Sequence, residues 1–418
     1  MKTLYALLGV LPLFVAACDA PAQRADVTKP GRTGVTKPGR TEAPTPIPAK
    51  TEPNRWGVVQ GPRTAPRTEI VDLWASGSAD VWAVGRHGCE RSKTALDDEE
   101  PCPDILRWDG RQWRPQRPPR AGGTIWAVSG RSRSDVWVAG SDKFAYIAHW
   151  DGRSWAWRAP WGTAVPESAP DYRSLRAVAV SGKTAWFAGE VHTRTGQLGV
   201  KPVLVGWDGR KVSIWQQPGE GRFVDIVSSV SGQVWAAGSI VGRYENGIEY
   251  DRPLIVRWTG TTWARSPVPD IWGELSAIWQ GDRRDAWAVG YRPTDAGRDD
   301  PVVLRWDGRS WRPVAVPVEH ADLYGVTGDR AGRVWISGFD PNHPRQVLFL
   351  SYNGHTWTRS YTPVGRKLDL ESAPPGFSED ETVKAVRVFS VPSSSTLWSV
   401  GSVGREELTD WFILRRRD

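Results

Sequence analysis

A tryptophan-centred motif returns seven times at intervals near fifty residues, and this periodicity restricts the chain to a repeat architecture. It reads DVWAVG (80–85), DVWVAG (135–140), TAWFAG (184–189), QVWAAG (233–238), DAWAVG (285–290), RVWISG (333–338) and TLWSVG (396–401). Successive tryptophans, from Trp82 to Trp398, are spaced by 55, 49, 49, 52, 48 and 63 residues. A second motif follows every copy except the last: RWDGRQW (107–113), HWDGRSW (149–155), GWDGRKV (206–212), RWTGTTW (257–263), RWDGRSW (305–311) and YNGHTW (352–357). An alternating apolar run, such as DLWAS (72–76) or TIWAVSG (124–130), precedes the first motif.

Each unit reads as four short strands, A to D. The apolar run is strand A, the first motif is strand B, the run ending in Arg-Trp is strand C, and the closing tryptophan opens strand D. Period-two alternation with β-branched and aromatic residues supports strands over helices. The Asp-Gly pairs between C and D predict two-residue hairpins. In that register Trp108 faces Arg111 and Leu106 faces Trp113, with cation–π attraction across the turn.

Four strands per unit of about fifty residues is the period of a propeller blade. The ends of the chain test this. The last unit has strands A (KAVRVFSV, 384–391), B and C (FILRRR, 412–417), then stops without a strand D. The first unit is preceded by an orphan, RWGVVQGP (55–62), that reads as a strand D. The expectation is an all-β fold over residues 55–418, a seven-bladed β-propeller whose ring is closed by an N-terminal strand completing the last blade. Closure removes exposed sheet edges. The DVWAVG…RWDG..W units resemble those of secreted Trp-rich propeller proteins from bacteria. They are also similar to kelch repeats, which end strand B on glycine and open strand D on tryptophan, although a single glycine (Gly85, Gly140, Gly189) stands where kelch repeats carry two.

Upstream of the repeats the chain changes character. It opens with a positive Lys2, an apolar stretch Leu4 to Val15 too short to remain as a membrane span, and small residues leading to Cys18. Val15-Ala16-Ala17-Cys18 resembles a bacterial lipobox. That resemblance implies removal of residues 1–17, lipidation of Cys18 with palmitate-type chains, and attachment to the cell membrane on its extracytoplasmic side. Several acyl chains on one residue give stable anchoring. Residues 18–54 hold seven prolines and few bulky apolar residues, and are expected to form a disordered tether. Cys89 and Cys102 bracket CERSKTALDDEEPC, and in an exported protein a disulfide between them is expected.

The net charge of +7 does not mark a nucleic-acid binder. Residues 19–55 carry seven Lys/Arg against four Asp/Glu beside the anchor, where a basic segment suits anionic lipid headgroups. The rest of the chain is nearly balanced and shows no basic stripe. No metal or other cofactor is expected. The six histidines are scattered, no Gly-x-Ser-x-Gly elbow occurs, and paired carboxylates such as Asp299 and Asp300 lie in loops without a readable separation. No catalytic residue can be assigned from this pattern.

Of the 26 tryptophans, 21 occupy repeat positions and are expected to pack blade against blade. Trp157, Trp161, Trp215, Trp272 and Trp411 break the pattern. The long connections, B–C at 86–103, 190–201, 239–252 and 291–300, and D–A at 158–174 and 358–383, all fall on one face of a propeller. Recognition commonly sits on such loops. That face collects Trp161, Tyr172, Tyr244, Tyr250, Trp272 and Tyr291 as candidate ligand contacts. The expected role is non-catalytic binding or scaffolding, by a monomer, of an envelope protein or glycan. A polysaccharide lyase or hydrolase, or a lectin, is the alternative. A carboxylate pair or an Arg/Tyr/His set at the channel mouth would favour the enzyme.

Overall fold

The computed structural model describes residues 45–59, 69–88, 101–142, 144–162, 173–193, 199–229, 231–245, 248–294, 297–364, 382–405 and 408–416. These form seven antiparallel sheets of four strands in A-B-C-D order, and no helix occurs among the described residues. Blade 1 runs from Glu69 to Pro115 and blade 6 from Asp322 to Pro363. Blade 7 takes strands A, B and C from the C-terminus (Thr382–Ser390, Leu397–Arg405, Leu408–Arg416) and strand D from Trp56–Val59, which pairs antiparallel to the last strand with Trp56 opposite Arg416. The chain is a seven-bladed β-propeller closed by its N-terminal strand.

Residues 50 and 51, which fall within the segment expected to be a tether, are instead a strand. Lys50–Thr51 pairs in parallel with Thr358 and Arg359, adding a fifth strand to blade 6, and Ala49 packs on that blade's core. The outer strand of a blade leaves unpaired backbone groups, and this segment covers some of them.

The C–D connections also differ from the two-residue expectation. Trp108 faces Trp113, and Arg107 faces Arg114. The loop is four residues long because the Asp109 carboxylate accepts the backbone N–H groups of Arg111 and Gln112, each at 2.9 Å. Asp151, Asp208 and Asp307 cap their loops in the same way. The aspartate side chain therefore sets the turn, as Asp does in Asx-turns. Gly110 supports it with φ of 96°.

The motif residues are wired together. All seven strand-B tryptophans are buried. Each Arg of the Arg-Trp pair, and Arg415 at the same position of blade 7, stands opposite its own blade's strand-B tryptophan, and Arg107, Arg257, Arg305 and Arg415 lie 4.6, 5.6, 5.1 and 5.4 Å from the ring centres of Trp82, Trp235, Trp287 and Trp398. The leading aspartate fixes that arginine: Asp80 accepts Arg107 at 2.6 Å and Asp285 accepts Arg305 at 3.0 Å. Packing between blades runs through the same rings. Trp398 of blade 7 meets Trp108 and Trp113 of blade 1, both at 5.5 Å, and Trp82 meets Trp150 and Trp155 of blade 2 at 6.0 and 5.9 Å. Across the closure, Trp56 stacks on Phe349 at 4.0 Å and meets Trp335 edge-on. Blade 3 departs from the pattern, with Gly206 in place of the arginine and Val212 in place of the strand-D tryptophan. Trp215 compensates by lying 5.6 Å from Trp186, beside Gly206.

The glycine that ends strand B has a steric origin. A Cβ on Gly85 would stand 1.8 Å from the Glu69 carbonyl oxygen, and one on Gly290 would stand 1.9 Å from that of Glu274. Both carbonyls belong to strand A just before a β-bulge. Every strand A carries this bulge, so a motif in one strand records the bend of its neighbour.

Candidate functional site

The seven bulges shape the central channel. A bulge sets two residues against one on the partner strand and re-aims the side chains. Here the extra residues are Val71, Trp126, Arg176, Val224, Ser276, Tyr324 and Val386, and all seven line one cavity of about 480 Å³. This cavity opens where strands A begin and strands B end, the face reached by the D–A and B–C connections. Glu190 and Tyr291, from the ends of strands B, join Arg222 and Glu274 in its wall.

The next residue in each strand A stands below, and the three charged ones among the seven form the floor. In blade order the seven are Asp72, Ala127, Ala177, Asp225, Ala277, Gly325 and Arg387. Three carry charge and four are small, which leaves room for a bar across the channel. Arg387 of blade 7 grips Asp225 of blade 4 with two bonds of 3.0 and 3.1 Å and reaches Asp72 of blade 1 at 3.2 Å. Each carboxylate also accepts a backbone N–H from the following blade, Val128 on Asp72 and Ile278 on Asp225. Burial lifts the Asp72 carboxyl from 3.8 to about 6 despite the nearby Arg387 charge. Burial opposes the charge on Arg387, but Asp225 and Asp72 more than offset it and hold the guanidinium above its ordinary value.

The wall above this floor is divided by chemistry. On one side Arg176 lies 4.3 Å from the Trp126 ring centre and bonds Glu190 at 3.3 Å, while Arg222 bonds Glu274 at 2.5 Å. On the other side Tyr291 bonds Glu274, Tyr324 donates to Asp322 at 2.8 Å, and the two tyrosine rings meet edge-on at 6.0 Å. Both phenols are held above their ordinary value, by burial first and then by the neighbouring carboxylates. Asp299 is hydrogen-bonded to Asp322, and burial followed by that second charge raises it to about 6. The site can present guanidinium donors to one end of a ligand and tyrosine and carboxyl groups to the other.

The sequence-based candidates distribute unevenly. Of the candidates whose side chains the structure describes, Tyr291 reaches the mouth. Trp161 packs on the core between blades 2 and 3, with Arg173 5.8 Å away. Trp272 meets Tyr250 at 6.3 Å and Arg252 at 4.5 Å, outside the channel. Tyr244 and Tyr250 lie on strands, because the expected loop 239–252 is mostly a continued hairpin from Val234–Glu245 to Ile248–Trp258. The expected loops 86–103 and 190–201 likewise begin and end as paired strand. Tyr172, Cys18 and Cys89 lie outside the described residues. Cys102 is on strand C of blade 1, opposite His87. Asp299 and Asp300 do not form a pair: Asp300 is taken by Arg292 at 2.5 Å and His320 at 3.2 Å. His87, His149, His192, His320 and His343 each face a carboxylate, and no group of three or more metal-ligating side chains occurs among the described residues. Sequence reasoning missed Trp126, Arg176, Arg222, Glu274, Asp322 and Tyr324. Their signal was a strand-A position, three residues (Trp126, Arg176, Tyr324) or five residues (Arg222, Glu274, Asp322) before the residue that lines the lower channel.

No family model and no curated protein matches this chain. Among solved structures it is similar to YCF48 bound to D1 peptide, at 15% identity over 88% of this chain and 97% of that one, with a TM-score of 0.51. It is also similar to a streptogramin B lyase, at 13% identity over 86% of this chain and 97% of that one, with a TM-score of 0.54. At these identities the likeness establishes the shared propeller fold.

Proposed function

We propose that this chain is an extracytoplasmic propeller, lipid-anchored through Cys18, that binds an envelope protein or glycan non-catalytically at the channel mouth on its long-loop face. The observation that carries this reading is the convergence of all seven bulge residues on one polar cavity. A rigid ring with a few convergent polar groups is the usual form of a binding site. YCF48 bound to D1 peptide and the streptogramin B lyase illustrate a binding and a catalytic use of a propeller. The test is photocrosslinking in intact cells. A photoreactive residue at Ser276, in the mouth, is expected to capture a partner that Arg176→Ala releases. The same group at Arg153, on a C–D turn, is expected to capture none. Adducts from Arg153 alone, or capture insensitive to Arg176, would overturn the reading.

A second reading rests on Asp299 and Asp322. A carboxyl that keeps its proton to about pH 6 beside a second carboxyl group can serve as a general acid. With Tyr324 and Arg222 nearby it would suit glycan cleavage. Turnover on a polysaccharide panel, lost in Asp322→Asn, would establish it.

A further inference from the structure

The opposite mouth of the channel holds a larger cavity, of about 660 Å³, on the face formed by the short A–B turns. Its floor is the same bar of Asp72, Asp225 and Arg387, approached from below. Two residues past the floor position, the seven strands A carry Trp74, Ser129, Ala179, Val227, Trp279, Thr327 and Phe389. Three are aromatic, and all seven line this cavity.

The two tryptophans are seated on glycines. A Cβ on Gly328 would stand 2.1 Å from the Trp279 ring, one on Gly281 would stand 2.6 Å from it, and one on Gly130 would stand 2.9 Å from Trp74. Any side chain at Gly328 would displace Trp279, so the ring is held against the wall of the next blade. Trp279 and Phe389 are only partly buried and border the cavity. An aromatic ring fixed on one side and bordering water on the other offers a flat apolar platform. Hydroxyls of Ser129 and Ser390 lie in the same wall. The floor contributes two carboxyl groups against one guanidinium, and Asp329 and Arg330 in the wall offset each other, so the surplus charge of the lining is negative and disfavours anions.

We infer that this short-turn cup is a second binding site, for the end of a saccharide chain whose pyranose rings are neutral or carry an amino group. Such a ring has an apolar face to lie on tryptophan, and an ammonium group gains cation–π attraction from the same ring. The site is independent of the long-loop mouth, because the bar separates the two cavities.

Calorimetric titration of the full chain tests this with three trisaccharides: a glucosamine trimer, cellotriose and a galacturonate trimer. The expected order is glucosamine trimer first, cellotriose second, and the galacturonate trimer at least tenfold weaker than the first. Trp279→Ala should weaken binding of the glucosamine trimer at least tenfold. Ser129→Trp, which fills the cup and leaves the Trp279 platform in place, should do the same with the thermal midpoint unchanged. Arg176→Ala, in the long-loop mouth, should leave it intact. Equal or tighter binding of the galacturonate trimer, no binding of any probe, indifference to Ser129→Trp, or loss with Arg176→Ala would each overturn the proposal. The last outcome would assign the sugar to the other mouth.

Discussion

Arg387 on the seventh blade and Asp225 on the fourth meet across the channel through two parallel hydrogen bonds, and this leaves Asp72 as the surplus carboxyl of the trio. Its pKa in the folded protein, about 6, exceeds the value of 3.8 for a solvated aspartate. The folded state therefore binds this proton more tightly than the unfolded chain does. The resulting stabilisation is fully present below about pH 4 and is lost as pH rises through 6. A difference of this size corresponds to about 3 kcal/mol. Urea midpoints of the wild type should fall between pH 4.5 and 6.5, and those of Asp72→Asn should fall much less. Asp151, Asp208 and Asp307, held below the ordinary range by two backbone N–H groups each, act in the opposite sense and only at lower pH. Parallel profiles for the two proteins would count against the assignment to Asp72.

Removing the cation alone should be costly. Arg387→Met leaves two buried carboxyl groups facing each other and is expected to destabilise the fold by about 3–5 kcal/mol at pH 7. Replacing all three charged residues with apolar ones of similar size should recover most of this, as measured by chemical denaturation. If the triple variant were no more stable than Arg387→Met, the bar would have a role beyond charge balance.

The glycine closing strand B is expected to be intolerant of even a methyl group. Gly290→Ala would press on the Glu274 carbonyl and straighten the adjoining bulge, at a cost of about 1–3 kcal/mol. Because Glu274 also holds Arg222 and Tyr291, capture at the Ser276 crosslinking position should fall as well. A stable variant with unchanged capture would refute the link between glycine and mouth.

The tryptophans should separate into two groups on substitution. Trp398 is fully buried between Trp108 and Trp113, and alanine there is expected to cost about 3–5 kcal/mol. Trp157, 40% exposed, should cost about 0.5 kcal/mol or less. Comparable losses in guanidinium unfolding would contradict the packing role assigned to the repeat positions.

For the covalent features, palmitate labelling should disappear in Cys18→Ala, with the leader left uncleaved. Cys102 lies opposite His87, and Cys89 stands two residues after His87 in the sequence. A disulfide between them should shift the chain on non-reducing gels, and Cys89→Ser should abolish that shift without producing dimers.

The blades, their number and the closing strand were all legible in the repeat, because each depends on period and position, which sequence records directly. The C–D turns were misread because Asp-Gly was credited with backbone geometry alone, when the Asp109 carboxylate does the turning. The channel residues were hidden for a related reason. Period-two alternation assumes a regular strand, and a bulge breaks the alternation at the position that matters, turning Arg176 and Tyr324 into the mouth. The glycine of the neighbouring strand did carry that information, but only a paired reading of strands A and B exposes it. Tyr244 and Tyr250 were placed in a loop because polar residues interrupt a hairpin that nonetheless continues to pair.

The pairing of Trp56 with Arg416 also imposes an order in time. The ring cannot close until residues at the far end of the chain have been made, so a strand made early, Trp56–Val59, is among the last to find its place. Closing so long a loop adds entropy to the folding barrier, and high contact order slows folding. Until closure, strand C of the seventh blade, Leu408–Arg416, remains an open edge to which other chains could pair. Folding of this molecule should therefore be slow and all-or-none, and loss of the nine-residue strand Leu408–Arg416 should be as damaging as loss of a whole blade.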